Sequence, residues 1–401
     1  HPLANVHPCC RLGRPRHKMA RLSMASGVIA LGLVRLAFGL GVRSGDASAP
    51  AADEVSSLTP DIALFAEDNA EEGESFAPAE PSAQEKAVIA SAKVQCRFPA
   101  DGRPNLENGV IAYLVTRTSD VIRLKESVPR LTYHFLRRWA YPVKVFIPSE
   151  ALRKYDPSSF SESPSYETVH RVMNESAGAC HDWEIVFFDV KFPKVISDDA
   201  QWTRKMNRCA QRVSTSYKHM NQFFTKAMYE HPAMAKYRYY LRIDADFDFT
   251  ADLVEDPFCM MSRTGRKFMW QTRKLIKEKR CSEGLFEWFR QYAETHSLTP
   301  QDPVFFSPWG ATVNYVGYAG MGDLQFFRSE QVRKVAEALN EDGRVYLNRW
   351  SDQTYYPLLL GLFENHSAVG EVGFDWPGDT WCHKCPIPVG KKFNPETGSL
   401  E

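Results

Sequence analysis

Between residues 109 and 243 the sequence alternates short apolar, β-branched runs with stretches of helical spacing, and this alternation constrains the fold more than any other feature. The runs are GVIAYLVTR (109–117), YPVKVFIPS (141–149), WEIVFFDV (183–190) and YYLRI (239–243). Runs this short and this continuously apolar suit strands covered on both faces. After the first run, Val121, Leu124, Val128, Leu131 and Phe135 recur at helical spacing, with Ser119 the expected N-cap and Pro129 a candidate kink. A second helix is expected over about 201–229. Alternating strands and helices imply an α/β fold, a mostly parallel central sheet with helices on both faces.

The fourth run ends abruptly in acid: YRYYLRIDADFDF (237–249) places Asp244, Asp246 and Asp248 directly after it. In open α/β sheets, ligands sit beyond the carboxyl ends of the strands. A carboxylate cluster there needs a counter-charge, and a divalent metal supplies one. Asp244-Ala245-Asp246 is a DxD motif whose alternate side chains can face one Mn²⁺ or Mg²⁺ ion. Such an ion is usually completed by substrate phosphates, whose departing charge it neutralises. The competing structural reading is a polar turn.

Charge is unevenly spread. Lys plus Arg equal Asp plus Glu at 49 each, so no global field points to nucleic acid. Residues 1–45 carry seven Lys or Arg and no acid, whereas residues 46–86 carry eleven acids and one Lys. Within the first block lies LSMASGVIALGLVRLAFGLGV (22–42), 21 residues interrupted by Arg35, long enough to cross a bilayer. The preceding basic residues favour a cytoplasmic N-terminus. The expected organisation is a basic cytoplasmic tail (1–21), a signal anchor (22–42), a disordered acidic stem (43–92) and a lumenal catalytic domain (93–401). A cleaved leader and an organelle transit peptide are the alternatives. The sequons Asn174-Glu175-Ser176 and Asn365-His366-Ser367 suit a lumenal domain. Seven cysteines follow the apolar span, an odd number that leaves at least one thiol outside any set of pairs. The stretch 263–280 has eight basic residues and reads either as a solvated helix face or as an anion-holding patch.

SYKHMNQFF (216–224) followed by YRYYLRIDADFDF resembles the core of the fungal Golgi α-1,2-mannosyltransferases, glycosyltransferase family 15. GDLQFFRSEQVRKVAEALNEDGRVYLNRWSDQ (322–353), the EVGF stretch and the terminal Cys385-Pro386 extend the likeness over roughly 94–390. The resemblance implies a GT-A-like fold, a nucleotide-sugar donor (GDP-mannose), Mn²⁺, retention of configuration, a glycan or glycoprotein acceptor, and a single-pass type II anchor in the Golgi membrane. Carried over residue by residue, it makes Asp244 and Asp246 metal ligands and Tyr217, His219, Arg349 and Trp350 donor-binding residues. Asp352 is a candidate catalytic residue. Trp350 reads equally well as core packing. Where the family places a glutamate, this chain has Gly320, and the nearest acid, Asp323, is the second catalytic candidate. The family's metal-binding histidine falls near Trp376, so Asp375 or His383 is the candidate for that role, His383 foremost. These departures keep two alternatives open: a UDP-sugar donor, or a catalytically silent sugar-binding protein.

Overall fold

Strand β1 (Gly109–Leu114) alternates its side chains between two apolar layers, which is why its sequence shows no polar face. Val110 and Ala112 enter one core cluster and Ile111 and Tyr113 the other. The computed structural model describes residues 108–177, 181–253, 255–275, 279–372, 381–383, 393–394 and 399–400. The basic tail, the apolar span 22–42, the stem 43–92, Cys385, Asp375 and Trp376 lie outside the described residues. Among the described residues no helix is long and apolar enough to cross a membrane.

Strands β2 (Val143–Pro148), β3 (Trp183–Phe188) and β4 (Tyr239–Ile243) form where the sequence places them. They join β1 in a seven-stranded sheet of order β3-β2-β1-β4-β7-β6-β8. β1 pairs in parallel with both β2 and β4, and β2 with β3. β7 (Val313–Asp323) then runs antiparallel to β4 and to β6 (Phe268–Leu275), and β8 (Val369–Glu371) is parallel to β6. The sheet is therefore mixed but mostly parallel. Its chain order reverses between β1 and β4, the topological position at which α/β sheets open a crevice.

Helices α1 (Thr118–Leu131), α2 (Tyr166–Ala177) and α4 (Pro257–Thr264) cover one face through Val121, Leu124, Val169, Met173 and Phe258. Helices α3 (Thr215–Gln222), α5 (Leu285–Thr295), α6 (Glu330–Asp342) and α7 (Asp352–Phe363) lie on the other side. There Phe289, Val335, Leu339 and Leu358 join the cluster. α7 is apolar almost all round, the mark of a helix enclosed by protein. A Cβ on its Gly361 would come within 2.7 Å of the Phe306 backbone nitrogen, so only glycine lets the two chains meet this closely.

Three sequence expectations need correction. The α1 N-cap is Arg117, not Ser119, because the Asp120 carboxylate accepts from the backbone N–H groups of Thr116 (2.9 Å) and Arg117 (3.0 Å) and fixes the turn one step earlier. The helix expected over about 201–229 is continuous only from Thr215 to Glu230; residues before it form short turns at Trp202–Lys205 and Arg208–Gln211. Asn207 and Ser214 each cap a new start there, accepting from Ala210 (2.9 Å) and Tyr217 (3.2 Å). The basic stretch is no single helix: Gly265, at φ 67°, ends α4, and β6 begins at Phe268. Among the described residues a disulfide, Cys209–Cys281, bridges a sequence separation of 72 residues and ties the second of those short turns to the segment before α5.

Candidate active site

Because β1 to β4 run parallel, their carboxyl ends lie on one edge, and Asp244 follows the last residue of β4 at the β1/β4 reversal. Opposite it, β7 carries an irregularity. Trp270 of β6 faces Gly320, but Thr272 faces Val316, so three β7 residues (317–319) stand against one of β6. Bulges of this kind re-aim side chains at functional edges. Here the bulge brings Tyr318 to Asp244, whose N–H donates to the Tyr318 carbonyl (2.8 Å).

The centre of the site is Arg242, a buried guanidinium in a strand otherwise apolar. Its Nε and Nη2 donate to Asp244 Oδ1, both at 3.2 Å, and its Nη1 donates to Asp352 Oδ2. The guanidinium lies 3.4 Å over the Phe224 ring. Gly317 makes room for it, since a Cβ there would stand 3.1 Å from Nη1. Asp352, the first residue of α7, is fully buried, and its Oδ1 has no hydrogen-bond partner. Burial pushes Asp244 up to about 6; Arg242 opposes this, and the charges of Asp246 and Asp352 add to it. Arg242 thus bonds two carboxylates, and the charge of Asp246 is felt at the first of them.

The residues expected on the donor side converge partly. Arg349 sits 5.4 Å over the Tyr217 ring, and burial, with the Asp352 charge after it, raises the Tyr217 pKa while Arg349 opposes the rise. Arg349 adopts φ 59°, a left-handed conformation unusual for a residue with a Cβ. Backbone outliers of this kind cluster at ligand sites. Beside them, Lys218 is buried, donates to the Val213 carbonyl (2.9 Å), and is lowered to about 8 by burial and then by Arg349.

The other expected residues are placed elsewhere. Trp350 is core: 1% exposed, it donates Nε1–H to the Glu283 carbonyl (2.9 Å) beneath Arg344. His219 is wholly buried, bonded through Nδ1 to the Tyr346 hydroxyl (2.9 Å) and through Nε2 to Asp156 Oδ2 (3.1 Å). It braces the layer behind Tyr217 and contacts no crevice. Asp323 is at the opposite end of the sheet, because antiparallel β7 pairs it with Tyr239, about 13 Å along β4 from Ile243. It caps the Leu324–Phe327 turn and pairs with Lys267 (3.3 Å). Asp248 is spent in a buried pair with Arg130 (2.8 Å). His383 is carried by β9 (Trp381–His383), which pairs with β5 (Phe247–Phe249) so that His383 stands across from Phe247, next to Asp246 in sequence. Among the described residues no group of three metal-type ligands converges. Asp244 and Asp246 together with substrate phosphates still make an ordinary donor set for Mn²⁺ or Mg²⁺, and the unpartnered buried oxygen of Asp352 adds to the local demand for positive charge.

The Asp156–His219–Tyr346 chain yields a stability expectation. Burial pushes the Asp156 carboxyl up, but hydrogen bonds from His219, Ser159 and Ser158 outweigh it and hold the group well below the usual carboxylate range. A depressed folded pKa contributes stability above the unfolded value, and that contribution fades as pH falls below about 4. Asp156→Asn is expected to cost about 1–3 kcal/mol at pH 7. In denaturant titrations from pH 7 to pH 3 the gap to the wild type should narrow; a gap constant with pH would contradict the assignment.

Comparison with known proteins bears on the family and the fold. Residues 67–384 match the family model described as glycolipid 2-alpha-mannosyltransferase. The chain is similar to O-glycoside alpha-1,2-mannosyltransferase omh1 of Schizosaccharomyces pombe, 24% identical over 70% of this chain and 72% of that protein. It is 22% identical to the probable mannosyltransferase KTR4 of Saccharomyces cerevisiae, over 69% of this chain and 62% of KTR4, under two thirds of that relative's length. Among solved structures it resembles Ktr4p of S. cerevisiae in complex with GDP: TM-score 0.57, 21% identity, 70% of this chain and 72% of that one. It also resembles core-mannan synthase A of Aspergillus fumigatus in an Mn/GDP form: TM-score 0.53, 17% identity, 73% of this chain and 82% of that one. These likenesses establish a GT-A-like fold.

Proposed function

The chain belongs to the glycolipid 2-alpha-mannosyltransferase family, a class of mannosyltransferase enzymes, and from that premise we propose that it transfers mannose from GDP-mannose to a glycan or glycoprotein acceptor with retention of configuration. We place it in the Golgi membrane as a single-pass type II protein with residues 93–401 lumenal. GDP in the Ktr4p structure and Mn with GDP in core-mannan synthase A support the donor and the metal. The observation that carries the reading is Asp244 at the sheet reversal, partly exposed and held with buried Asp352 on the guanidinium of Arg242.

Asp244 and Asp246 would hold Mn²⁺ or Mg²⁺, with His383 a candidate third ligand by its register across from Phe247. The ion would neutralise the leaving diphosphate. Arg349 and Lys218 add positive charge on the donor side, and the Tyr217 ring, fixed under Arg349, limits where the donor can lie. Arg242 holds the Asp244 and Asp352 carboxylates in register with each other, so that neither must reorganise during the reaction. Asp352, fully enclosed, acts through that guanidinium and not on the substrate directly. Gly320 offers no side chain for a covalent intermediate, which favours attack of the acceptor on the same face as the departing diphosphate.

That same glycine supports a second reading, a silent sugar-binding protein. Incubation with GDP-mannose and with UDP-sugars, with Mn²⁺ or with chelator, separates the cases by the nucleoside diphosphate released. GDP release that needs Mn²⁺ is the expected result. Release from a UDP-sugar alone would replace the donor assignment, and binding without release would establish the silent protein.

A further inference from the structure

The two sequons occupy unlike positions. Asn174 lies within helix α2, half-buried, next to the buried Met173 at the start of the last turn. A glycan on it would have to leave from a helix packed on the sheet. Asn365, His366 and Ser367 are all exposed, in the turn between α7 and β8. The Asn365 side chain accepts through Oδ1 from the Ser367 N–H (3.0 Å) and the Ser367 hydroxyl. Both bonds use the oxygen, so the amide nitrogen is left for substitution and the turn keeps its cap. The His366 ring stacks on Phe305, 5.6 Å between centroids, and steadies the turn from below.

We propose that Asn365 carries an N-linked glycan and that Asn174 does not. The inference rests on the lumenal placement proposed above. A lipid-linked oligosaccharide diphosphate is the co-reactant: the bond from Nδ2 to the sugar C1 forms, the C1–O bond to the diphosphate breaks, the lipid diphosphate departs, and the Nδ2 proton passes to a base of the host transferase. The turn follows the twelve-residue helix whose first residue is Asp352. At 1.5 Å per residue it is therefore about 18 Å from that carboxylate, and the glycan leaves turnover unchanged.

The full chain is expressed in a eukaryotic host in two forms, its natural form and a secreted form in which residues 1–42 are replaced by a cleavable secretion signal, and its mobility is compared before and after treatment with peptide N-glycosidase. One discrete shift is expected in both forms. Asn365→Gln and Ser367→Ala should each abolish it and Asn174→Gln should not, with donor turnover unaffected in all three. The serine variant keeps the asparagine, so its result does not depend on loss of the cap. No shift in the secreted form, or a shift that survives Asn365→Gln, overturns the inference and leaves the proposed function standing. A shift in the secreted form with none in the natural form overturns the lumenal placement, and the modification of the natural protein with it.

Discussion

Asp244→Ala is expected to lower Mn²⁺-dependent release of GDP from GDP-mannose by about 10³-fold, the rate equivalent of about 4 kcal/mol. The size follows from what the residue holds. Asp244 is the less buried partner of Arg242, with its side chain about a third exposed (32%), whereas Asp352 is fully enclosed. Removing Asp244 leaves the Arg242–Asp352 pair intact, so the fold should persist while the ligand closest to the strand end is lost. Release kinetics across a Mn²⁺ series, read beside an unfolding midpoint, check this. If the variant turned over at a wild-type rate at ordinary Mn²⁺, the metal would have to be held elsewhere.

Arg242→Met is expected to cost about 3–5 kcal/mol of stability, the usual penalty for removing one partner of a buried ion pair. Desolvation alone would lower the pKa of this arginine, yet Asp244 and Asp352 raise it on balance, so the cation is firmly held where it is. Methionine fills the space over Phe224 but strands the Asp352 carboxylate. Adding Asp352→Asn should therefore return part of the loss, and the double-mutant cycle measures how much. Additive effects of the two substitutions would refute the coupling. The double variant should stay inactive even where it is refolded to full stability.

Arg242 also shows where sequence reasoning stops. The four parallel strands were legible because each is a short run with apolar residues on both faces. The acidic cluster beyond the strand end was legible as such, but not which of its members serve structure: Asp248 is held in a buried pair with Arg130. Arg242 left a signal too, a lone cation inside YYLRI, but its two partners are 2 and 110 residues away and nothing local names the second. Burial sorted the rest. Trp350 and His219 sit within motif-like segments, yet side chains that lie beside a site in sequence can be turned into the layer behind it. Asp323 was misassigned because distance along the chain, three residues from Gly320, says nothing about which end of an antiparallel strand faces the crevice. The bulge that delivers Tyr318 depends on register between β6 and β7, which no single strand encodes.

Helix α7 joins two places that otherwise share nothing: its first residue is Asp352 and its last turns press Gly361 against Phe305 and Phe306. Enclosed on nearly all sides, this rod can absorb an added methyl group at Gly361 only by shifting along its length or by bending at Pro357. Alleles that silence the enzyme should therefore turn up at the remote end of the rod as well as among the acids, and the damage they do will look like a shifted carboxylate in a protein that still folds.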